Sequence, residues 1–267
     1  MSLEKEITEL VDVMAQMRDP EKGCAWTQKQ TYQSLTPHTI EEAYEVADTI
    51  ERGAYSELKG EVADLLNQVI FYSRIAEESG NFDFKGVVQH LKQKLIDRHP
   101  DVFAKQNNLS VSDLEKQWET IKKQERVQHN IGNTESILND IAYNLPALSI
   151  AKKLQTRVAS VGFDWEKQSE VLTQLKSEVI ELEEAFTQND KMAVLDEVGD
   201  VMFSCVNLIR HLREDPEQVM RQSCRKFEGR FRALESILES QNMPVEDANI
   251  IQLEEAWTQA KYQCRIK

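Results

Sequence analysis

Residues 39–64 read TIEEAYEVADTIERGAYSELKGEVAD, and residues 175–200, at an offset of 136, read LKSEVIELEEAFTQNDKMAVLDEVGD. Both contain E-x-x-E, then fifteen residues, then E-x-x-D: Glu42, Glu45, Glu61 and Asp64 in the first, Glu178, Glu181, Glu197 and Asp200 in the second. Apolar residues run beside the acids at helical spacing. Ile40, Ala43, Tyr44, Ala47 and Ile50 form one stripe, and Val62, Leu65, Leu66, Val69 and Ile70 another. In the second copy Val179, Leu182 and Phe186 are followed by Leu195, Val198, Met202, Val206 and Ile209. No run alternates with period two, so the pattern predicts an all-α protein.

The spacing between the pairs predicts more than helix. Positions i and i+3 share one helix face, about 5–6 Å apart at Cβ. Glu45 and Glu61 each stand eight residues from Gly53, and Glu42 and Asp64 each stand eleven from it. Glu181 and Glu197, and Glu178 and Asp200, are likewise centred on Asn189. If these turn-forming residues close antiparallel helix hairpins, four carboxylates converge in each copy. Helix starts are expected at Thr36-Pro37 and at Asp215-Pro216-Glu217-Gln218, where an N-cap precedes a proline at the first helical position.

Other residues repeat in the same order. Lys94 and Arg98 match Lys226 and Arg230, and Trp118 and Lys122 match Trp257 and Lys261. A duplicated domain follows: repeats over 1–127 and 137–267, joined by a polar linker at 128–136. Two tandem four-helix-bundle-like domains are the expected architecture.

Composition narrows the function. The 267 residues carry 32 Lys and Arg against 46 Asp and Glu, a net charge of −14. With 40% hydrophobic residues and only nine glycines and six prolines, the chain favours helical folding over disorder or turn-rich β structure. An acidic surface repels phosphate backbones, so general nucleic-acid binding is not expected. The N-terminal residues show no secretory pattern, and the longest apolar run, Val201 to Ile209, is too short to span a bilayer. Cys24, Cys205, Cys224 and Cys264 form no C-x-x-C pair and read as small apolar residues in a reducing compartment. A cytoplasmic location is expected.

The acid pairs admit two readings, a solvated acidic face or a metal site. Like charges converging beside an apolar stripe favour the second, because a cation offsets their repulsion. Oxygen ligands with no Cys or His suit Mg²⁺, with Mn²⁺ the alternative. A di-iron bundle needs Glu-x-x-His, which none of the five histidines completes. Arg221, Arg225, Lys226, Arg230 and Arg232 make a basic run that reads either as salt-bridge partners or as contacts for a polyphosphate. Trp118 and Trp257 read as core or as an aromatic wall for a base. There is no P-loop, G-x-G-x-x-G, G-x-S-x-G or H-E-x-x-H. Water is then the nucleophile to consider, with a carboxylate such as Glu178 or Glu181 orienting or deprotonating it.

Taken together, Glu-x-x-Glu and Glu-x-x-Asp with Gly23-Cys24-Ala25-Trp26, Thr39 to Val46, Arg98-His99-Pro100-Asp101-Val102-Phe103 and Val161-Gly162-Phe163-Asp164-Trp165 resemble the MazG family of all-α nucleoside triphosphate pyrophosphohydrolases. The resemblance implies Mg²⁺-dependent cleavage of the α–β phosphoanhydride of (d)NTPs, giving monophosphate and pyrophosphate in nucleotide-pool housekeeping. It implies metal ligation and catalysis by Glu178, Glu181, Glu197 and Asp200, with Glu42, Glu45, Glu61 and Asp64 as the first repeat's metal set. Nucleotide contacts are implied for Lys226, Arg230, Trp257 and Lys261, and by repetition for Lys94, Arg98, Trp118 and Lys122. It also implies a homodimer whose helices complete each other's bundles. Ala63 stands where the second copy has Gly199, and the segment from Lys94 to Arg98 is less basic than its counterpart, so the second half is expected to be the main catalyst. The alternatives are a non-catalytic dimer that senses Mg-nucleotide and a purely structural helical dimer.

Overall fold

The computed structural model describes residues 2–103, 110, 113, 114, 117, 118, 120, 121, 136–139 and 141–264. Among them every regular element is helical. The chain divides into two compact units, Met1–Glu125 and Arg126–Lys267. The expected linker at 128–136 lies, Ser136 aside, outside the described residues.

The first unit contains α1 (Leu3–Met17), the short α2 (Ala25–Gln28), α3 (Tyr32–Glu51), α4 (Leu58–Glu78), α5 (Phe84–Arg98) and the short α6 (Pro100–Phe103). Helices α3 and α4 form the antiparallel hairpin that carries the acids, and α1 and α5 lie against α4. Gly53 has φ +70°, the left-handed conformation that lets the chain leave α3. The core is Met14, Leu35, Ile70, Phe71 and Ile75, with Tyr72 and Phe84 packed on it.

One ion pair closes this unit. Arg18, at the end of α1, donates from Nε to Glu78 Oε1 at 2.9 Å and from Nη2 to Glu78 Oε2 at 2.7 Å. Its Nη1 reaches the carbonyls of Thr27 and, at 3.3 Å, Gln30, and its guanidinium lies 5.4 Å from the Phe71 ring centre.

The second unit contains α7 (Ala147–Ala159), α8 (Gln168–Gln188), α9 (Lys191–His211), α10 (Pro216–Ser240), a 3₁₀ turn (Val245–Asp247) and α11 (Ile250–Gln263). Asn189, left-handed at φ 57°, ends α8, and Asp190 caps α9 through the backbone N–H groups of Met192 and Ala193. Helices α8 and α9 are the second acidic hairpin. Helix α7 packs on α9 and holds the start of α10 through Lys152 and Asp215, 3.1 Å apart. Asp215 also accepts from the Gln218 N–H at 3.1 Å, with Pro216 at the first helical position, as the sequence predicts. Helices α10 and α11 share a core of Leu234, Ile237, Leu238, Ala256 and Ala260.

One expectation needs correction, the start of the helix before the first acid pair. Helix α3 starts at Tyr32, capped by Thr31 and Ser34 reciprocally, so Pro37 lies inside it. Pro37 is the sixth residue of the helix, so its missing N–H leaves the Gln33 carbonyl without its i+4 donor; Gln33 is exposed and its carbonyl can turn to water instead. All four cysteines are exposed free thiols. Of the apolar stripes, Val206, Ile70 and a few neighbours are buried, but Ile40, Val62, Leu195 and Met202 are 45%, 49%, 55% and 51% exposed. The helices packed on each hairpin cover only part of its surface, and the remaining apolar side stays open.

Candidate metal and nucleotide site

In the second unit α8 and α9 bring Glu178, Glu197 and Asp200 together, each offering a carboxylate oxygen within 4.8 Å of the others. In the first unit a differently composed trio meets the same limit: Glu42, Glu45 and Glu61. Asp64 and Glu181 stand outside these trios, yet each still acts on its site. Burial and then the charges of Glu181, Asp200 and Glu178 push the Glu197 carboxyl above its ordinary value. Burial, Glu42, Glu41 and, more weakly, Asp64 do the same to Glu45. A positive charge entering either cluster would offset the repulsion that Glu197 and Glu45 feel.

Neighbours on α8 fix two of these carboxylates. Gln174 donates from Nε2 to Glu178 Oε1 at 2.7 Å, and Ser177 donates from Oγ to Glu181 Oε1 at 3.0 Å. Both are one helical turn upstream of the acid they hold. The donor set is all oxygen and its spacing brackets a hard divalent cation, so the residues fit such an ion.

The basic and aromatic candidates fall into separate groups. Lys226 and Arg230 lie on α10, and among the described residues neither forms an ion pair or side-chain hydrogen bond. The Arg230 Nε is sealed from solvent without a partner. Arg232, by contrast, pairs with Glu228. Trp257 is packed on the α10–α11 core, 5.3 Å from the Phe227 ring, which is the core reading, while Lys261 is half-buried one turn on. No described contact joins any of these four to the acid trio. In the first unit Arg98 lies 5.1 Å over the Trp118 ring and His99 is 5.6 Å from it. Lys94 is on α5 with Arg98, and Lys122 lies outside the described residues.

Sequence reasoning missed a cavity of about 520 Å³ in the second unit, between α7, residues 160–167 and α9. Its signal was present: Gln155 interrupts the stripe Ala151, Leu154, Val158, and Asn207 interrupts the most apolar stretch of the chain. Asp164 latches residues 160–167 onto α9, accepting from Arg210 Nη1 at 2.9 Å and lying 3.0 Å from His211 Nε2. Burial works against its charge, but the bonds from Arg210 and His211 prevail and hold the carboxyl below its usual range.

A helical hairpin occurring twice, each copy bearing a convergent carboxylate trio and no Cys or His ligand, defines a class of tandem all-α proteins built around acid-lined cation sites. Comparison makes this specific. The chain matches the MazG nucleotide pyrophosphohydrolase domain twice, over residues 30–103 and 166–234. It is 39% identical over 260 residues to a nucleoside triphosphate pyrophosphohydrolase of Escherichia coli K12, covering 97% of this chain and 98% of that protein. It is 40% identical over 253 residues to the nucleoside triphosphate pyrophosphohydrolase/pyrophosphatase MazG of Thermotoga maritima, covering 95% and 94%. A Bacillus subtilis protein of unassigned function, YabN, is 32% identical over 96% of this chain and 52% of its own length. The chain belongs to the MazG family. Both acid trios fall inside the matched residues, whereas Trp118, Lys122, Trp257 and Lys261 fall outside them.

Proposed function

We propose that the protein is a nucleoside triphosphate pyrophosphohydrolase that hydrolyses the α–β phosphoanhydride of (d)NTPs to monophosphate and pyrophosphate in nucleotide-pool housekeeping. The observation that carries this is the trio Glu178, Glu197 and Asp200, in a chain whose full-length relatives bear that activity in their names. The trio with Glu181 is the binding place for Mg²⁺, or Mn²⁺ in its stead, and Glu42, Glu45, Glu61 and Asp64 form its counterpart in the first repeat. Bound there, the cation supplies charge neutralisation for the triphosphate and a more acidic water.

The residues do the rest. Gln174 and Ser177 keep the Glu178 and Glu181 carboxylates aimed, so that one of them orients the attacking water and accepts its proton. The anhydride bond breaks as the water's oxygen bonds to phosphorus, and pyrophosphate leaves. Lys226 and Arg230, with no acid occupying them among the described residues, are placed to take charge from the leaving phosphates once they meet the substrate. Trp257 and Lys261, and Lys94, Arg98, Trp118 and Lys122 in the first repeat, are the further nucleotide contacts.

The exposed stripes of α3, α4, α8 and α9 support a homodimer in which each repeat, 1–127 and 137–267 about a 128–136 linker, completes its bundle with a partner's helices. No described helix is long and apolar enough to cross a membrane. The acidic surface disfavours nucleic acid, and four free cysteines suit the cytoplasm.

Product analysis tests the reading. After incubation with ATP or dTTP and Mg²⁺, phosphorus NMR should show monophosphate and pyrophosphate. Diphosphate with orthophosphate overturns it, and thermal stabilisation by nucleotide with no products replaces it by a Mg-nucleotide sensor.

A further inference from the structure

Helix α1 is packed at one end only. Val11, Met14, Ala15 and the following Arg18 are buried or half-buried against their unit, whereas every residue from Leu3 to Leu10 is exposed. Two turns of helix thus stand in water with Leu3, Ile7 and Leu10 uncovered, Leu3 at 76% exposure. Short helical segments are marginal on propensity alone, and most helical stability in proteins comes from packing an apolar face. The Ser2 cap and the exposed pair of Lys5 and Glu9 at 3.6 Å do not replace that packing. The second repeat has no such projection. Gly162 and Trp165 match Gly23 and Trp26 at an offset of 139 (162 − 23, 165 − 26), which sets Ala147, the first residue of α7, opposite Thr8 (147 − 139).

The open residues have the spacing of a helix-pairing seam. Leu3, Ile7, Leu10, Met14 and Met17 alternate by four and three, and of these only Met14 is buried. Glu4 and Glu6 stand at positions that flank such a seam. Helix α5 carries the matching pattern. Phe84, Val88, Leu91, Leu95 and Arg98 follow the same alternation, and Val88, Leu91 and Leu95 are exposed, Leu91 at 54%. The flanking positions of this seam hold Lys85, Lys92 and Lys94. From Leu3 to Leu10 and from Val88 to Leu95 is the same seven-residue step, about 10 Å along each helix.

Charge makes the two seams complementary. Helix α1 has Glu4, Glu6, Glu9 and Asp12 against Lys5, net −3 (1 − 4), and α5 has Lys85, Lys92, Lys94 and Arg98 against Asp97, net +3 (4 − 1). Among the described residues Glu4, Glu6, Lys85, Lys92 and Lys94 form no ion pair. Two α1 seams, or two α5 seams, would set like charges side by side, whereas α1 on α5 sets opposite ones. Within one chain both helices lie against α4 with their seams still open, so the cover comes from another molecule. A second copy carries both halves of the match, and two-fold symmetry makes the contact twice.

Resting on the homodimer reading, we propose that the first two turns of α1 dock on the Val88, Leu91 and Leu95 face of α5 in a second copy. Leu3, Ile7 and Leu10 bury against that face, and Glu4 and Glu6 pair with the lysines beside it. The contact joins first repeat to first repeat, because α7 lacks the projecting turns and its charges, Lys152, Lys153 and Arg157, are all basic. It uses no residue of either acid trio.

The first test needs no mutation. Isotope-labelled and unlabelled wild-type chains are mixed, allowed to exchange subunits and treated with a carbodiimide, which joins a carboxylate to a touching amine as an amide. Mass spectrometry should find an α1 peptide linked through Glu4 or Glu6 to an α5 peptide through Lys85 or Lys92, one labelled and the other not. The second test reads partner choice. Glu4→Lys with Glu6→Lys in one chain, and Lys85→Glu with Lys92→Glu in another, oppose like charges at both contacts of each homodimer, and a mixed dimer restores both. Coexpressed under two tags, the mixed dimer should rise from a statistical share of about one half to about nine-tenths. Links from these lysines found only within single chains overturn the proposal, and so does a mixed share that stays near about one half with folded variants. The dimer reading then stands on its other faces. A variant that fails to fold leaves the decision to the wild-type links. A wild type that sediments as monomer strikes the dimer reading, and this contact with it.

Discussion

Replacing Arg18 by methionine removes five hydrogen bonds while keeping apolar bulk against Phe71. Three of the five go to Glu78 and are charge-assisted, Nε sharing its proton between both carboxylate oxygens; two go to the carbonyls of Thr27 and Gln30. The Arg18 side chain is 7% exposed and that of Glu78 31%, so the pair is partly screened. Breaking a fully buried pair costs about 3–5 kcal/mol, and screening with retention of the Arg74 to Glu78 contact at 3.0 Å brings the expectation to about 3 kcal/mol. For a unit of this size that is roughly 10 °C in the melting temperature of Met1–Glu125, read by calorimetry on the full chain.

The effect has a defined pH dependence. The hydrogen bond from Arg18, outweighing burial and aided by Arg74, holds the Glu78 carboxyl below its ordinary value. A depressed carboxylate pKa contributes stability that is present above the unfolded value and lost as pH falls through the folded one. The gap between wild type and Arg18→Met should therefore be full at pH 7 and narrow as the pH falls below the ordinary carboxylate range and through the lower folded Glu78 value, towards what the carbonyl bonds alone supply. A gap below about 3 °C at pH 7, or one that does not narrow as acid is added, refutes the reasoning.

Three other outcomes follow from the two sites and the open stripes. Glu197→Ala should lower turnover by about a hundredfold or more with little change in melting temperature, and Glu61→Ala should keep most of it; if both variants turn over like wild type, the ligand assignment is wrong. Gln174→Leu frees the Glu178 carboxylate and should weaken the Mg²⁺ requirement curve by about tenfold, measured as the metal concentration at half-maximal rate. Sedimentation equilibrium should give twice the chain mass of 30.8 kDa, and Met202→Asp, which charges the open face of α9, should return monomer; an unaltered dimer would place the interface elsewhere.

The hairpins were legible because two independent signals coincide. Periodicity marks the helices, and symmetric acid spacing about Gly53 and Asn189 marks the turns, both of which are left-handed in the structure. The start of α3 was misread because Thr36-Pro37 is as good a local cap signal as Thr31 with Ser34, and only packing of Leu35 into the core decides for the earlier one. Periodicity also says which face is apolar without saying what covers it, so Ile40 and Leu195 mark apolar faces and are half-exposed. The trio in each hairpin was foreseeable as a group of four; which member stands aside depends on side-chain direction, which spacing does not encode. Gln155 breaks an apolar stripe, but a single polar residue there marks burial only once the packing around it is known.

The two hairpins reach the same acid spacing through different turns. Residues 52–57 join α3 to α4, whereas only Asn189 and Asp190 join α8 to α9. The longer connection takes its length from the helix that follows, so Glu61 lies in the opening turn of α4, while Glu197 lies well inside α9. The opening turn of a helix carries unpaired N–H groups and partial positive charge, which an acid there feels and an acid in mid-helix does not. A duplicated enzyme can thus let one copy drift in cation affinity by lengthening a surface turn, with every ligand left in place and the other copy untouched.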